Sequence, residues 1–172
     1  MLKMIGIIFV IFSSTTIGFS FASRLERRKC TLEGFKNSLS MLEAEISFSQ
    51  NSLSRAFYNI SRSISPKIVS QFYENIYITI DTEKKPLAVS WSEWLDRFST
   101  KMCISRADVQ VLINFSNRLG KTDIENELKN IHNTASLIDM QLDDAKKACD
   151  TSKKMYQSAG ILAGILVVVL LF

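Results

Sequence analysis

The chain has 172 residues, of which 47% are hydrophobic and 22% charged, an apolar share that is high for a soluble domain of this size. Its formal net charge of +4 falls short of the basic face typical of nucleic-acid-binding proteins. Three cysteines lie far apart without a CxxC pair, which favours a reducing compartment. Motifs for phosphate, dinucleotide, zinc-protease and serine-hydrolase sites are missing, and His132 is expected to be an ordinary surface or helix-packing residue. We therefore predict that the protein is not an enzyme, that it binds no cofactor or metal, and that it has no nucleic-acid partner.

The first apolar segment, Met4 to Ala22, has about nineteen residues without a charge, enough to span a hydrocarbon core. Basic residues between positions 24 and 29 follow it, and such residues favour the cytoplasmic side of a membrane. The alternative is a signal peptide cleaved after Ala22, which would release a secreted helical protein. The basic residues argue against cleavage, because they would have to cross the membrane. We predict an N-terminal transmembrane helix over residues 1–23.

A second apolar segment, residues 158–172, is predicted to be a C-terminal transmembrane helix. Lysines at 146, 147, 153 and 154 precede it, so this span also places its upstream side in the cytoplasm. Gly160 and Gly164 form a GxxxG step, the spacing that lets two membrane helices approach closely. Both spans thus predict that residues 24–157 form a cytoplasmic helical bundle between two membrane helices.

Two long helices with heptad spacing are predicted to frame this bundle. The first stripe contains Leu25, Leu32, Phe35, Leu39, Leu42, Ile46 and Leu53, and the second contains Ile124, Leu128, Ile131, Ala135, Ile138, Leu142, Ala145 and Cys149. We expect the two helices to pair in an antiparallel, all-α bundle. Shorter helices lie between them.

Two capping boxes, in which a side chain before a helix and one at its third residue exchange hydrogen bonds with the backbone, are predicted. Ser105 and Asp108 form the first. Thr122 and Glu125 form the second, directly after Gly120, which is a residue type typical of helix ends. The last long helix is therefore expected to start from Thr122.

Three short motifs follow one another in an order known from one protein family. Gly18 to Leu25 fits a Gly-Phe-x-x-Ala-x-x-Leu run, and Leu39 to Ile46 fits Leu-x-x-Leu-x-x-Glu-Ile. Phe115 to Asp123, the most specific match, fits Phe-x-x-x-Leu-Gly-x-x-Asp. Two departures are Ser52, which stands where the family has a proline, and Glu127, near which the family often has glutamine. Over nearly its whole length the chain resembles the stage III sporulation protein AB family of endospore-forming bacteria.

The resemblance implies a component of the complex that links mother cell and forespore during engulfment and is needed for endospore formation. It implies a location in the mother-cell membrane around the forespore. The family's helical domain is similar to the cytoplasmic domain of the type II secretion platform protein F. The implied partners are a secretion-type ATPase, stage III sporulation protein AA, and other membrane subunits of the same secretion-like complex. A non-enzymatic platform or adaptor is therefore expected.

The candidate docking residues are charged positions within or beside the resembling motifs: Glu43, Glu45, Arg118, Lys121 and Asp123. The alternative for Asp123 and the Leu119-Gly120 step is a cap and a turn. A further alternative for the whole chain is a two-span sensor or scaffold whose helical bundle lies outside the cytoplasm. Association of the bundle into a homo-oligomer through its heptad stripe also stays open.

Overall fold

The computed structural model describes the backbone of residues 2–48 and 52–171 and the side chains of residues 16, 19–48, 52–151, 155, 158 and 162. Within these ranges the secondary structure is entirely helical, which confirms the all-α class. The helices are α1 (Leu2–Phe48), α2 (Leu53–Ser63), α3 (Lys67–Thr82), α4 (Leu87–Met102), α5 (Arg106–Arg118) and α6 (Ile124–Leu171). Leu53 begins α2, so its predicted place in the α1 stripe is wrong.

The chain divides into two compact units, one formed by residues 30–143 and the other by residues 1–29 and 144–172. In the unit of residues 1–29 and 144–172, α1 and α6 are neighbours. This is shown by the hydrogen bond that the Cys149 thiol donates to the Glu26 carboxylate over 3.1 Å. Among the described residues no helix holds a stretch long and apolar enough to cross a membrane. Most side chains of the two predicted spans lie outside the described residues, and so does the predicted packing of Gly160 and Gly164.

Within the unit of residues 30–143, α1 and α6 run antiparallel, as predicted. Lys36 Nζ lies 2.6 Å from Asp139 Oδ1, and Glu43 Oε1 lies 2.9 Å from His132 Nε2. From Lys36 to Glu43 the chain advances seven residues along α1, and their partners Asp139 and His132 are seven residues apart in the opposite direction along α6. Seven residues are one heptad. The stripe positions buried in this unit are Leu32, Phe35, Leu39, Leu42, Ile131, Ile138 and Leu142. Ile124 is 59% exposed, so the α6 stripe begins later than predicted.

Aromatic rings surround the fully buried Trp91 at the centre of this unit. The Trp91 ring centroid lies 6.0 Å from that of Phe57, 5.1 Å from Phe72, 5.7 Å from Tyr73 and 5.7 Å from Phe115. Most of these pairs are edge-to-face, the arrangement that adds about 1 kcal/mol per pair beyond apolar burial. Because the rings come from α2, α3, α4 and α5, this aromatic cluster joins the four shorter helices.

Helix α1 is attached to the aromatic cluster by a buried hydroxyl pair. The Ser38 hydroxyl donates to the Phe35 carbonyl over 2.7 Å, and Ser38 Oγ lies 2.7 Å from the Tyr73 hydroxyl. Since the serine proton is directed to the carbonyl, Tyr73 donates to Ser38. Burial raises the pKa of Tyr73, an effect that the Ser38 hydrogen bond only partly offsets. The tyrosine hydroxyl therefore keeps its proton and remains a donor.

Gly34 allows α1 to approach the connection between α2 and α3. A Cβ atom at this position would lie 2.7 Å from Pro66 Cδ and 3.0 Å from the Ser65 carbonyl oxygen. A side chain at Gly34 would therefore force the Ser65 backbone and the Pro66 ring to move, and neither is the flexible end of a side chain. The absence of a side chain at Gly34 therefore sets how closely α1 packs here.

The α5–α6 connection is organised by a buried carboxylate. Glu127 is 6% exposed, and its Oε1 atom accepts hydrogen bonds from the backbone N–H groups of Gly120, Lys121 and Thr122 over 2.8, 3.1 and 3.2 Å. It also accepts from the Thr122 hydroxyl over 3.0 Å. Gly120 has φ +78°, a left-handed conformation that favours glycine and reverses the chain after α5.

The two predicted capping boxes have different outcomes. Ser105 and Asp108 exchange both bonds, with the Ser105 N–H donating to Asp108 over 2.7 Å, so this box is confirmed. The box of Thr122 and Glu125 is wrong. Helix α6 begins at Ile124, and Thr122 donates to Glu127, which lies farther into the helix but has a side chain long enough to reach the loop.

We expect Gly34→Ala to destabilise the protein by about 1 kcal/mol. Alanine gains about 1 kcal/mol of helix propensity, but the overpacking against Pro66 costs about 1–3 kcal/mol. Urea unfolding followed by circular dichroism measures the net change. Ser40→Ala, at an exposed position of α1, is the matched control and should cause no loss. Equal or higher stability of the Gly34 variant would contradict the close-packing argument.

We expect Glu127→Ala to lower the free energy of unfolding by about 2–3 kcal/mol, because four donors lose a charged acceptor. Glu127→Gln keeps a neutral carbonyl acceptor and should retain about half of that stabilisation. The control is Glu125→Ala, which removes only an exposed ion pair with Lys129 and should change stability by less than about 0.5 kcal/mol. Similar losses for the Glu127 and Glu125 alanine variants would show that Glu127 does not organise the loop.

Candidate functional site

A cleft of about 480 Å³ lies between the end of α5, the α5–α6 loop and the first turns of α6. Its lining is polar and contains three basic residues and four asparagines: Asn117, Arg118, Lys121, Thr122, Asn126, Lys129, Asn130 and Asn133. None of these lining residues is acidic. The cleft, called here the α5–α6 cleft, is therefore suited to an anionic ligand or partner.

The local sequence explains why these residues meet. Helix α5 ends at Arg118, Gly120 reverses the chain, and α6 returns alongside. Asparagines at 126, 130 and 133 are spaced by four and three residues, which places them on one face of α6. Phe115 and Leu119 are buried and fix the end of α5 in the core. The motif from Phe115 to Asp123 thus builds one wall of the cleft together with its turn.

The basic side chains of the cleft differ in how far they are already neutralised. Lys129 Nζ lies 2.7 Å from Glu125 Oε1, in an exposed pair within α6. Arg118 and Lys121 are exposed, and within the described part of the chain neither forms an ion pair. Asp123 lies at the edge, where its carboxylate accepts a 2.6 Å hydrogen bond from the Asn126 amide. Arg118 and Lys121 are therefore the basic side chains of the cleft that are most accessible to an anionic partner.

The backbone of the loop contributes little binding capacity to the cleft. Its N–H groups at 120, 121 and 122 already donate to Glu127. Anion sites for phosphate usually rely on such converging backbone N–H groups. The α5–α6 cleft therefore has only side-chain donors to offer. Among the described residues no group of histidine, cysteine and acidic side chains could hold a metal ion.

The structure brings together three of the five predicted docking residues. Arg118 and Lys121 line the cleft, and Asp123 borders it. Glu43 instead binds His132, while Glu45 accepts a 2.9 Å hydrogen bond from the Asn59 amide. Five further polar residues line the cleft and are not among the predicted docking residues: Asn117, Asn126, Lys129, Asn130 and Asn133. Their helical spacing after the Gly120 turn was the available signal.

His132 is adjacent to the cleft in sequence, but its side chain contacts α1. It is next in sequence to Asn133 of the cleft, but consecutive residues point about 100° apart around a helix. Its side chain is 63% exposed and contacts Glu43 on α1. His132 thus has the surface position expected from the sequence, and Glu43 belongs to the α1–α6 seam rather than to the cleft.

Comparison with known proteins agrees with this architecture. The stage III sporulation protein AB family matches residues 3–172. Stage III sporulation protein AB of Bacillus subtilis (strain 168) is 26% identical over 171 residues, which cover 99% of either chain. A solved structure of a stage III sporulation protein AB has the same fold, with a TM-score of 0.65 at 22% identity over 72% of this chain and 97% of that one. Because the family match covers almost the full length, the chain belongs to the stage III sporulation protein AB family.

Proposed function

We propose that this protein is a non-enzymatic membrane adaptor in endospore formation. It docks a secretion-type ATPase, stage III sporulation protein AA, onto other membrane subunits of a secretion-like complex between mother cell and forespore. Family membership supports the role in sporulation. The observation that carries the docking role is the α5–α6 cleft, where Arg118 and Lys121 are exposed and, among the described residues, form no ion pair.

The membrane part of the proposal rests on the sequence. Residues 1–23 and 158–172 are the two anchors, and residues 24–157 form the bundle on the cytoplasmic side of the mother-cell membrane. Uncharged stretches in both anchors and the basic residues beside them support this topology. A bundle held between two anchors would stay at the membrane surface, where an ATPase could be recruited.

The chemistry of the cleft supports binding rather than catalysis. Its cations and amides can neutralise and hydrogen-bond an anionic group, whereas nucleophilic or acid–base catalysis needs a reactive side chain placed beside its activating partner. The one hydroxyl of the lining, on Thr122, donates to the buried Glu127 carboxylate. In this proposal the ATPase supplies the work, and the adaptor transmits it through its helices.

A rigid core supports a docking role because less conformational freedom is lost when a partner binds. Phe115, near the end of α5, lies in the aromatic cluster, and the Asn130 amide of α6 donates to the Phe115 carbonyl over 3.4 Å. The two walls of the cleft are thus tied to each other and to the core. A partner would meet a preformed surface.

Cysteine labelling tests the topology. Two single-cysteine variants are compared. In the first, Cys30→Ser and Cys149→Ser leave the half-buried Cys103 as the sole thiol. In the second, all three native cysteines are replaced by serine and a cysteine is added after Phe172. On intact cells we expect a membrane-impermeant maleimide to label the added cysteine, because the C-terminus lies outside. Cys103 should react only after permeabilisation, with full labelling after denaturant as its control. Labelling of Cys103 on intact cells would contradict the cytoplasmic bundle and favour the extracytoplasmic sensor.

Co-purification with the ATPase tests the docking role. We expect the wild-type chain to recover the ATPase and the double variant Arg118→Glu with Lys121→Glu to recover several-fold less, because the reversed charge removes the complementarity of the cleft to an anionic partner. The matched control, Lys67→Glu with Arg106→Glu, makes the same charge change at the exposed first residues of α3 and α5, outside the cleft, and should keep full recovery.

Each result of this experiment has a distinct meaning. No recovery by the wild-type chain would overturn the docking role. Full recovery by the Arg118 and Lys121 variant, with an unchanged circular dichroism spectrum, would remove the α5–α6 cleft from the interface. Equal loss in both double variants would show that overall charge alone governs recovery.

A further inference from the structure

We infer that the α5–α6 cleft, together with the next two turns of α6, is a docking groove for an acidic, partly apolar segment of a partner protein. The inference deepens the proposed function, because it assigns a chemical character to the part of the ATPase that would be bound. The groove comprises the cleft and, beyond Asn133, the exposed residues Leu137 and Met140.

The acidic character of the partner follows from charge complementarity. Arg118 and Lys121 project from the wall and loop of the cleft, and both are exposed. Lys129 is partly neutralised by Glu125, and Asp123 lies at the border. The positive charge therefore lies toward the α5 side of the cleft. Carboxylates that enter there would meet two cations, whereas a basic segment would be repelled.

The apolar character follows from the continuation of the same α6 face. Asn133, Leu137 and Met140 are spaced by four and three residues, so their side chains lie along one face of the helix. Leu137 is 47% exposed and Met140 is 64% exposed. These two side chains therefore extend the polar part of the face with exposed apolar area. Met140 lies about 10 Å beyond Asn133 along the axis.

A peptide segment fits this groove better than a small anion does. The loop N–H groups that would chelate a phosphate are bound to Glu127 over 2.8 to 3.2 Å. What remains are the exposed amides of Asn117, Asn126 and Asn133, each able to donate to and accept from a peptide backbone. From Asn126 to Met140 the groove runs about 21 Å along α6, which an extended chain of about six residues would cover.

The floor of the groove is fixed before any partner binds. Asn130 is 9% exposed and donates to the Phe115 carbonyl, and Thr134 is 4% exposed and donates to the Asn130 carbonyl over 2.7 Å. The Asn130 bond holds α6 against α5, whereas the Thr134 bond lies within α6. The exposed residues on either side can then engage a segment without rearrangement of the helices.

Fluorescence anisotropy with a synthetic peptide tests the inference without the ATPase. The probe is a fluorescein-labelled peptide of about twelve residues, with four glutamates, a Gly-Ser spacer and two leucines, long enough for the groove. It is titrated with the full chain in lipid nanodiscs, with empty nanodiscs as the blank. We expect binding that weakens about tenfold when glutamine replaces glutamate and several-fold when serine replaces leucine.

Two double variants assign the binding to the groove. Arg118→Glu with Lys121→Glu should weaken binding about tenfold or more. Leu137→Ser with Met140→Ser should weaken it several-fold and abolish the preference for the leucine-containing probe. The matched control is Lys67→Glu with Arg106→Glu, which makes the same charge change at exposed first residues of α3 and α5, where acidic residues are tolerated. It should bind within about twofold of the wild type.

The inference is overturned if the probe binds no better than to empty nanodiscs, or if the Arg118 and Lys121 variant binds like the control variant. It is also overturned if millimolar inorganic phosphate displaces the probe while sodium chloride of equal ionic strength does not, because the cleft would then be a small-anion site. Since the ATPase is absent, a failure to co-purify it and a failure to bind the peptide are separate results.

Discussion

The packing of aromatic rings around Trp91 is the interaction on which the remaining structure depends. Four short helices are too short to be stable alone, and each contributes at least one ring to this cluster. Helix α1 joins through Phe35, whose ring centroid lies 5.5 Å from that of Phe72. A buried ring pair gains both apolar burial and edge-to-face attraction, so the cluster supplies energy and orientation at once. The cluster therefore joins α1 to α5 within this unit.

The candidate site is the outer end of that same arrangement. Phe115 belongs to the cluster and lies one turn before the end of α5, so the core fixes where Arg118 projects. Beyond it, Glu127 binds three consecutive N–H groups and holds the loop that presents Lys121. A buried carboxylate is costly unless it is hydrogen-bonded, and here the four bonds to Oε1 that offset part of this cost also shape the cleft. Core packing, loop geometry and site are therefore one connected structure.

The sequence predicted what depends on local spacing and missed what depends on tertiary contact. Heptad positions such as Leu39 and Ile138 indicated buried stripes, and the Ser105 capping box was predictable because its partners lie three residues apart. The role of Glu127 could not be read in the same way, because its side chain reaches back past the helix start to a loop whose path depends on Gly120. The convergence of distant rings on Trp91 likewise has no local signature.

The charged residues of the surface are separable from the stability of the fold, which is why they can serve a partner. The α1–α6 ion pairs of Lys36 with Asp139 and Glu43 with His132 are solvent-exposed, and such pairs contribute about 0–1 kcal/mol each. The antiparallel pairing instead rests on the buried stripes, and the cleft walls rest on Phe115 and Asn130. Arg118 and Lys121 therefore contribute little to folding. Their charge can change with the partner while the helices that present it stay the same.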